Sequence, residues 1–175
     1  MNVPKPAMAA FGFLTIVEQP DLGLLGGYLV LNAGGRPLEF HCTAPVKPNR
    51  PQEILYGPTL RPYLCGEQIG QALVTRAKTD VLLVFTDERA AVGVREFSSA
   101  PVVLMRSNSA EAPACNDLPL TLGDFQALLA NRYSSDQPMV LSRWKEHGHS
   151  LDLLEPFGRI REALEEAQKS ARAAA

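Results

Sequence analysis

Residues 45–70, PVKPNRPQEILYGPTLRPYLCGEQIG, gather five of the chain's fourteen prolines into one stretch. Each proline fixes its own φ near about −65° and biases the residue before it toward extended backbone. Much of the path is therefore set before any tertiary contact forms. The same stretch holds two of the four tyrosines, Tyr56 and Tyr63, and the cations Lys47, Arg50 and Arg61. Strand-like sequence precedes it and a helix-like pattern leaves it, so it reads as a stiff crossover between the two.

On its N-terminal side, FGFLTIV (11–17) and YLVLN (28–32) are rich in β-branched and aromatic residues, the composition of strands. Ala33-Gly34-Gly35-Arg36 supplies the positive φ of a tight hairpin. LEFHCT (38–43) returns with Leu38, Phe40 and Cys42 on one face and Glu39, His41 and Thr43 on the other. Beyond the crossover, Leu60, Leu64, Cys65, Ile69, Leu73 and Ala77 form one apolar stripe, predicting a helix. Gly66 and Gly70 weaken its middle and suggest close passage of another backbone.

VLLVFT (81–86) is the continuous apolar run of a strand covered on both faces. AAVGVREF (90–97) and VVLMR (102–106) are expected as two further strands. Thr121, with Asp124 three residues on, predicts a short helix carrying Leu122, Phe125, Leu128 and Leu129. MVLSRW (139–144) fits an edge strand or a helical turn, and a final helix starts near Ser150 or Pro156.

The expected class is α+β: a mostly antiparallel sheet of about five to six strands, one packed crossover helix and two C-terminal helices. Residues 1–10 form a flexible arm, 11–145 a single domain and 150–175 a C-terminal amphipathic helix. Over residues 11–106 this element order resembles the broad profilin-like group, which includes PAS, roadblock and longin domains. That resemblance implies a helical connection between an N-terminal hairpin and a C-terminal set of three strands.

No glycine-rich phosphate motif, G-x-S-x-G or H-E-x-x-H occurs among the 175 residues, and no cofactor is expected. The net charge of −2 opposes a protein whose main work is wrapping nucleic acid. Cys42, Cys65 and Cys115 contain no close pair, and no apolar run is long enough to span a membrane or lead secretion, so a cytoplasmic protein is expected.

His41 and Cys42 are adjacent in a strand and point to opposite faces, so they cannot pair as base and nucleophile. Cys65, near a helix start, is the other candidate thiol. As catalytic candidates the three compete with simple packing, which suits both cysteines. His147 and His149 are the only imidazoles spaced to share a metal, and they lack the further ligands a zinc site needs. Asp87 and Glu88, after the 81–86 strand, suit a solvated turn.

The stronger signals are for contact. Lys47, Asn49, Arg50, Tyr56 and Arg61 offer a stiff basic and aromatic surface. Phe157, Ile160 and Leu164 begin a seam stepping by three and four along the last helix, suited to docking on this chain or on another. The sequence thus predicts a non-catalytic binding or scaffold subunit working through a protein partner or self-association in an oligomeric complex. An accessory subunit of a nucleic-acid-processing complex and a cysteine-centred enzyme are the alternatives.

Overall fold

The computed structural model describes residues 8–106 and 116–175. Cys115 and most of the expected N-terminal arm lie outside them, and Ala10 already belongs to the first strand. Strands β1 (Ala10–Gln19), β2 (Gly23–Asn32) and β3 (Pro37–Cys42) form an antiparallel meander. The β2–β3 turn is closed by Asn32, whose Oδ1 accepts from the N–H groups of Gly34 and Arg36 at 3.0 and 2.9 Å, with Gly35 at φ +80°.

The proline-rich crossover follows as α1 (Arg50–Tyr56), a 3-10 turn (Gly57–Thr59), α2 (Leu60–Pro62), a π-helix (Tyr63–Gly70) and α3 (Gln71–Arg76). It delivers β4 (Leu83–Thr86) beside β1, and a second crossover delivers β5 (Val102–Met105) beside β4. Both pairings are parallel. Strands β6 (Leu118–Leu122) and β7 (Phe125–Leu129) complete the sheet in the order β3-β2-β1-β4-β5-β7-β6. Helices α4 (Gln137–His147) and α5 (Glu155–Ala173) end the chain.

The fold is α+β, but the sheet has seven strands and a parallel centre, and two expected elements are corrected. Residues 90–97 do not form a strand. They lie in a 3-10 segment, Arg89–Phe97, with Ala91 and Val94 buried three residues apart, the 3-10 repeat. Two parallel neighbours need such a crossover, which a hairpin cannot supply. That removes one of the three strands on which the profilin-like order depended.

The helix expected from Thr121 is instead the β6–β7 hairpin, turning at Gly123 with φ +63°. The free edge of β5 takes up β7 through Leu104↔Leu128 and Met105↔Ala127. Residues 139–144 are helical, with Val140 and Trp144 buried four apart on α4.

Period-2 alternation sorts the core into two layers. Phe11, Phe13, Leu29, Leu31, Leu83, Phe85 and Val103 face α4 and α5, where Phe157, Ile160 and Leu164 pack. Leu14, Ile16, Tyr28, Val30, Val84 and Val102 face Leu64, Ile69 and Leu73 of the crossover and Val94 of the 3-10 segment. The buried run of β4 is covered on both sides, as its sequence implies.

The crossover is fastened to the edge strand by Glu39. Its carboxylate accepts from the Thr79 hydroxyl, from the Thr79 and Lys78 N–H groups at 2.5 and 3.0 Å, and lies 2.8 Å from His41 Nε2. The Thr79 hydroxyl, then His41 and the backbone donors, hold its pKa at about 2 instead of 4.5. A carboxyl depressed in the folded state adds stability above its unfolded pKa and loses it as pH falls through the folded value. Glu39→Gln should therefore lower stability by about 1 kcal/mol at pH 7. Thermal melts of the two proteins should converge as pH falls from 4.5 toward 2. A gap unchanged across that window would remove this role.

Candidate functional site

The chain leaves β1 to build β2 and β3 on one side, then crosses to build β4 and β5 on the other. In sheets with parallel strands, such a switch point opens a crevice at the strands' carboxyl ends. Here the register Leu14↔Thr86 sets the end of β4 beside the middle of β1, which runs on to Gln19 past it.

Alternation then divides the acids there. Thr15 and Asp87 fall on the α5 face, where the Thr15 hydroxyl donates to Asp87 Oδ1 at 2.6 Å and Arg161 pairs with the other oxygen. Glu18 and Glu88 fall on the crossover face. Arg61 reaches both, with Nη1 at 3.0 Å from Glu18 and Nη2 at 2.8 Å from Glu88. The hydrogen bond to Glu88, supported by Glu18, raises the guanidinium pKa beyond its ordinary value. Glu88 also accepts from the Ala90 N–H at 3.0 Å, capping the 3-10 segment. One carboxylate thus fixes both the crossover and the segment opposite it.

Between those two elements lies a groove of about 730 Å³. Tyr56 and Tyr63 stack with centroids 4.3 Å apart and planes 20° apart, and Gln68 Nε2 donates to the Tyr63 hydroxyl at 2.9 Å. Phe97, 36% exposed, lines the other wall with Glu96, and Arg132 also borders the groove. That wall is pinned by Arg95, whose Nε and Nη2 donate to Asp136 at 2.7 and 3.2 Å. Glu96 accepts from the Tyr133 hydroxyl at 2.5 Å, and the Arg132 guanidinium lies 4.8 Å from the Tyr133 ring centroid. Burial, then the bond to Glu96, pushes the Tyr133 hydroxyl up to about 12.

The π-helix brings the walls together. A Cβ on Gly66 would lie 3.6 Å from backbone atoms of Gly93, and one on Gly70 would be 3.0 Å from Val94 Cγ2 and 2.9 Å from the Cys65 carbonyl oxygen. Gly66 thus sits where the helix passes the Ala90–Gly93 backbone, and Gly70 where it passes the Val94 side chain. The widened turns of a π-helix are frequent at functional sites.

Of the residues singled out from sequence, Tyr56 and Arg61 line the groove, whereas Lys47, Asn49 and Arg50 do not. Asn49 caps α1, accepting from the Gln52 N–H at 2.9 Å while Gln52 Oε1 accepts from the Asn49 N–H at 3.0 Å. Arg50 pairs with Glu53 at 3.2 Å, and Lys47 is exposed beside the Val46–Leu24 bridge. Phe157, Ile160 and Leu164 are 2%, 0% and 1% exposed, so this chain's own sheet covers the seam. Arg161 is drawn to Asp87 instead of to a neighbour on its own helix.

His41 and Cys42 diverge as expected, one to Glu39 and the other to the α5-side core. Burial, with the charge of Glu88 adding, pushes the Cys65 thiol up to about 12, the reverse of an activated nucleophile. His147 Nε2 lies 3.5 Å from Glu146 and His149 is exposed past the end of α4. Among the described residues, no three His, Cys, Asp or Glu side chains gather as a metal-holding group. No helix among them is long and apolar enough to cross a membrane.

Sequence reasoning missed Glu18, Glu96, Phe97 and Arg132, and assigned Glu88 to a solvated turn. Alternation alone puts Glu18 and Glu88 on definite faces, but only the parallel β1–β4 pairing makes them neighbours.

No family model matches the chain, and no curated protein matches it. Among solved structures, that of human ENDOV aligns over 94% of this chain and 89% of that chain, with a TM-score of 0.46 and 11% identity. A likeness this loose carries no residue across.

Proposed function

We propose that this chain is a non-catalytic binding or scaffold subunit acting through protein–protein contact, and that residues 45–70 are its contact surface. One observation carries the proposal. Helix α1 has no buried residue, and Ile54 and Leu55 are 63% and 83% exposed on it. Large apolar side chains side by side in water are costly unless something covers them.

The presentation is also preordered. A capping box closes the helix, and Pro45, Pro48 and Pro51 stiffen its approach, so little conformational entropy remains to be lost on docking. The cations of this surface that would suit a phosphate backbone are largely engaged: Arg50 with Glu53, Arg61 with Glu18 and Glu88. That favours a protein partner over nucleic acid.

The test is the double substitution Ile54→Ser/Leu55→Ser. Both side chains are exposed, so unfolding free energy should change by no more than about 0.5 kcal/mol. Self-association in light scattering, or capture of a protein partner, should fall at least about tenfold, corresponding to ~1.4 kcal/mol. An unchanged assembly mass with every partner retained would overturn the proposal.

A further inference from the structure

We infer that the groove between the crossover and the Arg89–Phe97 segment takes an extended, proline-containing peptide in the polyproline II conformation. The inference rests on the protein-contact reading above and names the chemistry its partner would present. The groove is a second surface, since neither Ile54 nor Leu55 lines it.

Three features select this occupant. First, aromatic rings line both walls: the stacked pair Tyr56 and Tyr63 on one, Phe97 on the other. Flat apolar rings match the ridged faces of a polyproline II helix, which is already extended and loses little entropy on docking. Second, the walls are held before any ligand arrives, by Glu88 bonded to both Arg61 and the Ala90 N–H and by Arg95 bonded to Asp136. A preformed groove suits a preformed ligand.

Third, the lining charges balance: Arg61, Arg89 and Arg132 against Glu67, Glu88 and Glu96. Arg61 is bridged by Glu18 and Glu88, and Arg89 pairs with Asp117. Among the described residues, Arg132 has no carboxylate partner and stands exposed. A single donor-rich guanidinium suits the unbonded carbonyls of a polyproline II backbone. Nucleic-acid bases would also stack on tyrosine, but their phosphates need a run of available cations, which the groove does not supply.

The test uses the full chain and a labelled peptide of about ten residues with proline at every third position, the polyproline II repeat. Its controls are the same peptide with alanine for proline and a single-stranded oligothymidylate. Fluorescence anisotropy should show the proline peptide binding at least about tenfold more tightly than either control. Phe97→Ala and Tyr56→Ala should each weaken binding about tenfold, while Phe97→Leu, which keeps an apolar side chain, loses less. Thermal melts of each variant confirm that it is folded. Equal affinity for the alanine peptide, tighter binding of the oligonucleotide, or affinity indifferent to both Phe97→Ala and Tyr56→Ala would overturn the inference. Absent peptide binding with association still lost in Ile54→Ser/Leu55→Ser would overturn the groove assignment alone. Peptide binding with association unchanged in that variant would overturn the α1 contact alone.

Discussion

Phe157→Ala is expected to lower the unfolding free energy by about 3–5 kcal/mol, the range for truncating a buried aromatic residue to alanine. Phe157 is 2% exposed and meets Phe13 edge to face, with ring centroids 5.6 Å apart. Removing the ring leaves a void against β1 and takes away the first large anchor of α5, whose next ones are Ile160 and Leu164. Domains of this size are typically stable by only about 5–15 kcal/mol, so the loss is a large part of the whole. Urea denaturation of the variant measures it, with Ala167→Ser, exposed on the same helix, as a control expected to move stability by no more than about 0.5 kcal/mol. A seam committed to another chain would respond differently: the assembly mass would change while the unfolding free energy of the monomer stayed put. That outcome would remove α5 from the core.

The seam illustrates what a one-dimensional pattern can carry. Phe157, Ile160 and Leu164 repeat on one face of a helix, so an apolar stripe needing cover is evident from spacing alone. What covers it is not, because the complementary surface lies in β2, where Gly27 leaves room for Ile160. Strands β1 and β3 were likewise readable from composition and alternation, and β4 from its unbroken apolar run. Their parallel centre was not. Nothing in an apolar run states which neighbour it will pair with, or in which direction.

The two misread segments share a cause. Ala91 and Val94, or Leu122, Phe125 and Leu129, are short apolar sets whose spacing fits more than one backbone period. Tertiary context decided each: a parallel neighbour required a crossover at 89–97, and the open edge of β5 recruited 125–129 as a strand. For the candidate site, Tyr56 and Arg61 stood out because stiff, aromatic and basic residues cluster locally. Glu18 and Glu88 gained their role only when folding set two strands distant in sequence side by side.

The adjacent glycines of β2 each leave room for a helix on one side of the sheet. Successive strand residues face opposite sides, so Gly26 admits the crossover helix and Gly27 admits α5. A Cβ on Gly26 would lie 2.1 Å from Ile69 Cγ2, and one on Gly27 would lie 2.3 Å from Ile160 Cγ2. Neither glycine has a positive φ, so alanine suits the backbone and its cost is steric. Gly27→Ala should therefore destabilise by about 1–3 kcal/mol through overpacking, and Ile160→Ala by about 2–5 kcal/mol through loss of buried volume.

Combined, the two changes should cost less than their sum, because Ile160→Ala removes the methyl that the new Cβ would strike. The expected coupling is about 1–2 kcal/mol, within the range for residues in contact. Leu164, whose nearest atom would be 3.4 Å from that Cβ, remains at ordinary contact distance and does not cancel the relief. Chemical denaturation of the four proteins of this cycle measures the coupling directly. Additivity within about 0.5 kcal/mol would mean that α5 does not seat against β2 through Gly27. Coupling of the expected size would fix the helix to its own sheet and leave α1 and the neighbouring groove as the surfaces on which a partner must act.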